Sequence, residues 1–114
     1  MSGISTHVLD TSRGRPAAGV EVALARRGDA GGWQEVGRGR TDGDGRVGAL
    51  LPEGTSLAAG EYRLVFALGP WFEARGVEPF YPEASVVFRV RDPAQHQHVP
   101  LLLSPFAYST YRGS

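Results

Sequence analysis

The side chains with the most chemical potential are three histidines, His7, His96 and His98, the only ones in a chain of 114 residues. Imidazole has a reference pKa of ~6.5, so it is well matched to moving a proton near neutral pH. All three fall on segments that read as strands, where residues two apart share a face. His7 then shares a face with Ser5 and Leu9, and His96 and His98 share one with Pro100 and Leu102. Each alone has an ordinary reading: a strand histidine that meets solvent or bonds a neighbour. Together they offer three imidazoles, the ligand set of some zinc sites. Against zinc, no carboxylate is placed to orient the rings. Asp42-Gly43-Asp44-Gly45 suggests calcium, but the other ligands of an EF-hand loop are missing and the stretch reads as a turn.

What is missing narrows the chemistry further. There is no cysteine, so no disulfide, thiolate ligand or thiol nucleophile. All 12 basic residues are arginines, which excludes a Schiff-base lysine and a Walker lysine. No Gly-x-Ser-x-Gly elbow, dinucleotide fingerprint or phosphate loop occurs. Zero net charge argues against nucleic acid as a partner. No apolar run approaches the ~20 residues that span a bilayer, so no membrane segment is expected. The start, Met-Ser-Gly-Ile-Ser-Thr-His, lacks the charged and apolar parts of a signal peptide, and a cytoplasmic protein is expected.

The elements that must position the histidines are short. The 16 glycines and 8 prolines cut the chain into pieces typical of strands joined by turns. Strands are predicted at Ile4–Asp10, Val20–Arg27, Trp33–Arg40, Arg46–Leu50, Gly60–Ala67, Ala84–Arg91, His96–Leu103 and Phe106–Arg112. One or two helical turns are predicted at Pro70–Arg75, with proline in the first turn and Gly76 as the stop. Alternation is clearest at Val20, Val22 and Leu24, at Tyr62, Leu64 and Phe66, and at Val86, Phe88 and Val90. About eight strands and one short helix in one domain, residues 1–114, predict an all-β antiparallel sandwich of two sheets. The last strand runs nearly to the final residue, where an unimportant terminus would fray.

Several stretches resemble the 5-hydroxyisourate hydrolases, the transthyretin-like proteins of purine breakdown. They are His7-Val8-Leu9-Asp10, Gly14-Arg15-Pro16-Ala17, Thr41-Asp42-Gly43-Asp44-Gly45-Arg46, His98-Val99-Pro100-Leu101-Leu102-Leu103-Ser104-Pro105 and Tyr108-Ser109-Thr110-Tyr111-Arg112-Gly113-Ser114. The likeness covers the whole chain in order, and the closing Tyr-Arg-Gly-Ser is its most specific mark. It implies a prealbumin-type sandwich of two four-stranded sheets. It also implies a homotetramer, a dimer of dimers with active sites in a channel between the dimers. The implied reaction is hydrolysis of 5-hydroxyisourate to 2-oxo-4-hydroxy-4-carboxy-5-ureidoimidazoline, without cofactor or metal. The implied catalytic residues are His7, Arg46 and His98. The implied substrate-binding residues are His7, Arg46, Tyr111, Arg112 and Ser114. One departure is Gln97, where the family carries an aromatic. By alternation it points away from the site.

Opening a cyclic amide with water needs a base, and the carbonyl oxygen needs stabilisation as charge builds on it. His7 and His98 are expected to hold and activate the water, with either one as the base. Arg46 offers a planar fork to a urea-like edge or oxyanion. Tyr111 is expected to wall the pocket, and Arg112 with the Ser114 carboxylate to bridge chains and close it. The rival readings share the fold: a carrier of small apolar ligands, which lacks this residue set, or a surface adhesion module of a larger secreted chain. Fold alone does not choose among them.

Overall fold

The organising strand is β1 (Ile4–Asp10), in a computed structural model that describes residues 3–114. Ile4, Thr6 and Val8 point inward and are fully buried, while His7 and Leu9 stay half-buried on the other face. That is the period of two that a one-sided strand requires. The backbone of β1 serves two neighbours by the same parity. Ser5 O accepts the Val99 amide on one side, and Ile4 O and Val8 N bond Leu50 N and Gly45 O on the other.

The first sheet therefore gathers on β1. Parallel to it run β8 (Gln97–His98) and β9 (Leu101–Ser104), and β10 (Ala107–Thr110) extends the sheet beyond β9. Antiparallel to it run β2 (Arg15–Pro16) and β5 (Arg46–Val47). The second sheet is antiparallel throughout, in the order β4-β3-β6-β7. Its strands are β3 (Glu21–Arg27), β4 (Trp33–Arg40), β6 (Gly60–Ala67) and β7 (Glu83–Val90). Between the sheets lies a core that includes Ile4, Val8, Leu24, Tyr62, Leu64, Phe66, Leu101 and Leu103. Each such aliphatic or aromatic side chain contributes about 1.5–3 kcal/mol on burial.

The helix α1 (Leu68–Glu73) follows β6 directly and buries Trp71 and Phe72. The Trp71 indole donates to Ala18 O at 2.7 Å, and the Arg75 guanidinium stacks 3.9 Å over the indole. The amides of Gly76 and Val77 return to the carbonyls of Glu73 and Phe72 and close the helix where the sequence predicts a stop. Among the described residues no helix is long and apolar enough to cross a membrane.

The predicted two-sheet sandwich with one short helix is the observed architecture. The second sheet is four-stranded and antiparallel as expected, but the first has six short strands and is mixed, because β8 and β9 run parallel to β1. The last strand stops at Thr110 rather than Arg112. The other differences are local. His96–Leu103 is not one strand: it breaks at Val99 and Pro100, where proline has no amide for the ladder. The strand at Arg46 stops at Val47, just before Gly48, though the Leu50 amide still reaches β1. Arg15–Pro16 is a short strand where only a turn is expected.

Candidate active site

The register of β1 assembles the site. Ser5 lies opposite His98 on β8, and His7 lies opposite Arg46 on β5. Ser5 and His7 are two apart, so both side chains rise from the outer face of the sheet. Because the neighbouring ladder bond to β5 is made by Val8, His7 and Arg46 form a non-hydrogen-bonded pair, the type whose side chains stand closest. His7, Arg46 and His98 thus meet on one open surface although they are 91 residues apart at the extremes. A slip of one residue on β1 would turn Ser5 and His7 into the core.

The turn before β5 sets Arg46 and His7 together. Asp42 Oδ1 accepts the amides of Asp44 and Arg46 at 2.9 and 3.0 Å. Those bonds, with the Arg46 amide first, hold the Asp42 carboxyl below its ordinary value. Gly45 takes a left-handed φ of 77°, and a Cβ there would overlap the Val8 carbonyl oxygen, so only glycine fits. At the apex, Asp44 O accepts from His7 Nε2 at 2.9 Å. A carbonyl only accepts, so neutral His7 carries its proton on Nε2 and presents the lone pair of Nδ1. The acidic turn is thereby a backbone scaffold for the site. No group of three His, Cys, Asp or Glu suited to a metal gathers among the described residues.

His98 is held from two sides. Its Nδ1 lies 2.8 Å from Ser5 Oγ, which also lies 2.7 Å from His96 Nε2. On the far side the chain end runs past: the Gly113 amide donates to His98 O at 2.8 Å. A Cβ built on Gly113 would sit 2.5 Å from His98 Cδ2, so the third residue of Tyr-Arg-Gly-Ser is a glycine for lack of room. Burial, and then the charge of His7, His96 and Arg46, push the His98 pKa below its ordinary value of 6.5. The ring is therefore neutral at pH 7, with Nε2 free of protein partners among the described residues.

Tyr111 and Arg112 do not stand beside His7 and Arg46. They line a groove of about 520 Å³ with His98, Gln97, Gln95 and residues of β7 that include Val87 and Phe88. Arg112 donates to Gln95 Oε1 at 2.9 Å, Tyr111 is half exposed, and Ser114 is exposed. Gln97 is buried and donates to Gln95 O, and it lines the same groove as His98, although alternation leads one to expect it to point away from the site. Three contributors escape the sequence reading: the bridging role of Ser5, the scaffold role of Asp42 and Asp44, and the close approach of Gly113. Each left a signal short of that role: Ser5 shares a face with His7, Asp42–Gly45 reads as a turn, and Gly113 stands within Tyr-Arg-Gly-Ser.

A sequence model of the HIUase/Transthyretin family matches residues 4–113. This chain belongs to that family. It is 50% identical over 118 residues to a 5-hydroxyisourate hydrolase of Caulobacter vibrioides, with all of both chains covered. Its fold is similar to the solved 5-hydroxyisourate hydrolase of Klebsiella pneumoniae, with TM-score 0.85, 38% identity and all of both chains covered. It is also similar to transthyretin from Sparus aurata, with TM-score 0.91 at 32% identity over 99% of this chain and 97% of that one. The HIUase/Transthyretin sandwich thus serves proteins of different names, and the residues on its outer face must decide among them.

Proposed function

We infer that this chain is a 5-hydroxyisourate hydrolase of urate degradation. It opens the cyclic amide of 5-hydroxyisourate with water to give 2-oxo-4-hydroxy-4-carboxy-5-ureidoimidazoline. The observation that carries this reading is the double pairing on β1, which sets His98 and the His7–Arg46 pair on one outer face. The relatives named 5-hydroxyisourate hydrolase, at 48–50% identity over nearly the whole chain, support the same substrate.

In this reading His98 is the base. Its Nε2 takes a proton from water as the water oxygen bonds the substrate carbonyl carbon. Arg46 donates to the carbonyl oxygen as that oxygen gains charge. His7 accepts from the water at Nδ1 and holds it in line. The carbon–nitrogen bond of the ring then breaks, and the proton on His98 passes to the leaving nitrogen. Tyr111, Arg112 and Ser114 contact the substrate from the side of the groove. These are the chain's own groups, and no cofactor or metal is called on.

The face that carries His7 and Arg46 is open in one protomer, and water must be controlled there. We read residues 1–114 as one domain that assembles into a homotetramer, a dimer of dimers, with a second copy covering this face. Three features support the assembly. β10 and β7 are edge strands. Phe80, Tyr81, Tyr108 and Val87 stand exposed, and Tyr81 stacks edge-on against both Phe80 and Tyr108. The test of function is direct. When urate and urate oxidase generate 5-hydroxyisourate, adding this protein should speed the loss of its ultraviolet band. A protein that binds the compound but leaves the decay unchanged would be a carrier instead.

A further inference from the structure

Ser5 Oγ is the centre of a short chain, with His98 Nδ1 at 2.8 Å on one side and His96 Nε2 at 2.7 Å on the other. Ser5 is buried and its hydroxyl has no third partner among the described residues. A hydroxyl holds one proton and two lone pairs, so the three groups cannot be set independently. If both rings donated to Ser5, its own proton would be buried without an acceptor, which costs about 1–3 kcal/mol. The hydroxyl therefore donates to one ring and accepts from the other. The state of one histidine dictates the proton position on its neighbour.

We propose that Ser5 and His96 are positioning residues that lock His98 in the tautomer with its proton on Nδ1, leaving the Nε2 lone pair facing substrate. The order is His98 Nδ1–H to Ser5 Oγ, and Ser5 Oγ–H to His96 Nε2. This rests on the reading of His98 as the base, which needs a bare Nε2. The arrangement also serves the next moment of the reaction. When Nε2 takes the proton of water, the Nδ1–H bond to Ser5 is already made and becomes charge-assisted, with no group having to turn. His96 is exposed, so its ring can trade protons with solvent while the buried hydroxyl keeps its direction. The other charged and titratable groups around His98 are His7 from β1, Arg46 from β5, Arg89 from β7, Arg91 and Asp92 just beyond it, and Tyr111 and Arg112 from the chain end. The one carboxylate on that groove, Asp92, accepts from the Ala94 amide and not from the His98 ring, so the usual orienting partner of a catalytic imidazole is replaced by a serine backed by a second histidine.

The test uses the full chain with nitrogen-15 in its imidazoles. Above the acid limb of activity, NMR should show His98 Nδ1 protonated and Nε2 bare, and His96 Nε2 bare. In Ser5→Ala the His98 signals should shift towards a mixture of tautomers. The kcat of that variant should fall on the order of tenfold to a hundredfold, with KM nearly unchanged. Its acid limb should move to lower pH, because the imidazolium loses its acceptor. Ser5→Thr, which keeps the hydroxyl, should restore most of the rate, and His96→Asn should lie between. Finding the His98 proton on Nε2 in the unaltered protein would overturn the proposal. So would a Ser5→Ala variant with unaltered kcat and tautomer. The tautomer readout needs no substrate, so it stands or falls apart from the assignment of the reaction.

Discussion

At the scale of single residues, the site depends on which imidazole stays neutral. Burial depresses the His98 pKa, so kcat/KM should rise along an acid limb centred below 6.5 and level off towards neutral pH. His98→Asn and His7→Asn should each lower kcat about a hundredfold or more while the fold survives, and His98→Asn should abolish the limb. His96→Asn should cost much less, since its ring acts only through Ser5. Stability carries the same signature. A histidine whose folded pKa is depressed binds its proton more readily in the unfolded chain. As pH falls through 6.5, the native state therefore loses stability, and the loss levels off below the folded pKa. Denaturant titrations at a series of pH values should show this fall in the unaltered protein and a smaller one in His98→Asn.

At the scale of elements, the turn from Asp42 to Arg46 and the chain end act as braces for β5 and β8. Asp42→Ala removes the acceptor of two amides and frees both Arg46 and the carbonyl that holds His7. Its kcat should fall on the order of tenfold, whereas Asp42→Asn, which keeps an acceptor oxygen, should retain most of the rate. Gly113→Ala tests the other brace. Its Cβ must displace the His98 ring, so turnover should drop on the order of tenfold to a hundredfold. The melting temperature should barely move, because the tail contributes nothing to the core. A Gly113→Ala variant with full turnover would show that the tail lies against His98 without fixing it.

At the scale of the whole molecule, an open catalytic face and two apolar edges predict closed assembly. Sedimentation should give about 49 kDa, four chains of 12.2 kDa. Deleting Tyr111–Ser114 should remove activity far more than stability, because Tyr111 and Arg112 line the groove beside His98, Gly113 bonds His98, and none of the four belongs to the core. A bulky tag after Ser114 should impair turnover by crowding the same groove. A fully active monomer would show that each protomer completes its own site, and normal turnover without the tail would show that the chain end is not part of it.

Strand pattern, turn chemistry and residue type are local properties, and the sequence alone determines them. Ile4–Asp10, Trp33–Arg40 and Gly60–Ala67 are legible because alternation and flanking glycines and prolines speak within a few residues. The same holds for the shared face of Ser5 and His7. The ends of the strands near Pro100 and Gly48 are less legible, because ladder bonds depend on a partner strand that local sequence does not name. The tertiary structure alone decides that Ser5 faces His98 and that His7 faces Arg46. It alone brings Gly113 against the His98 ring, and hangs His7 on the carbonyl of Asp44. Each of these contacts joins residues at least 15 positions apart in the sequence. Their distance is set by strand register, and register is chosen by which faces the core must bury, a property of the whole sandwich rather than of any one segment.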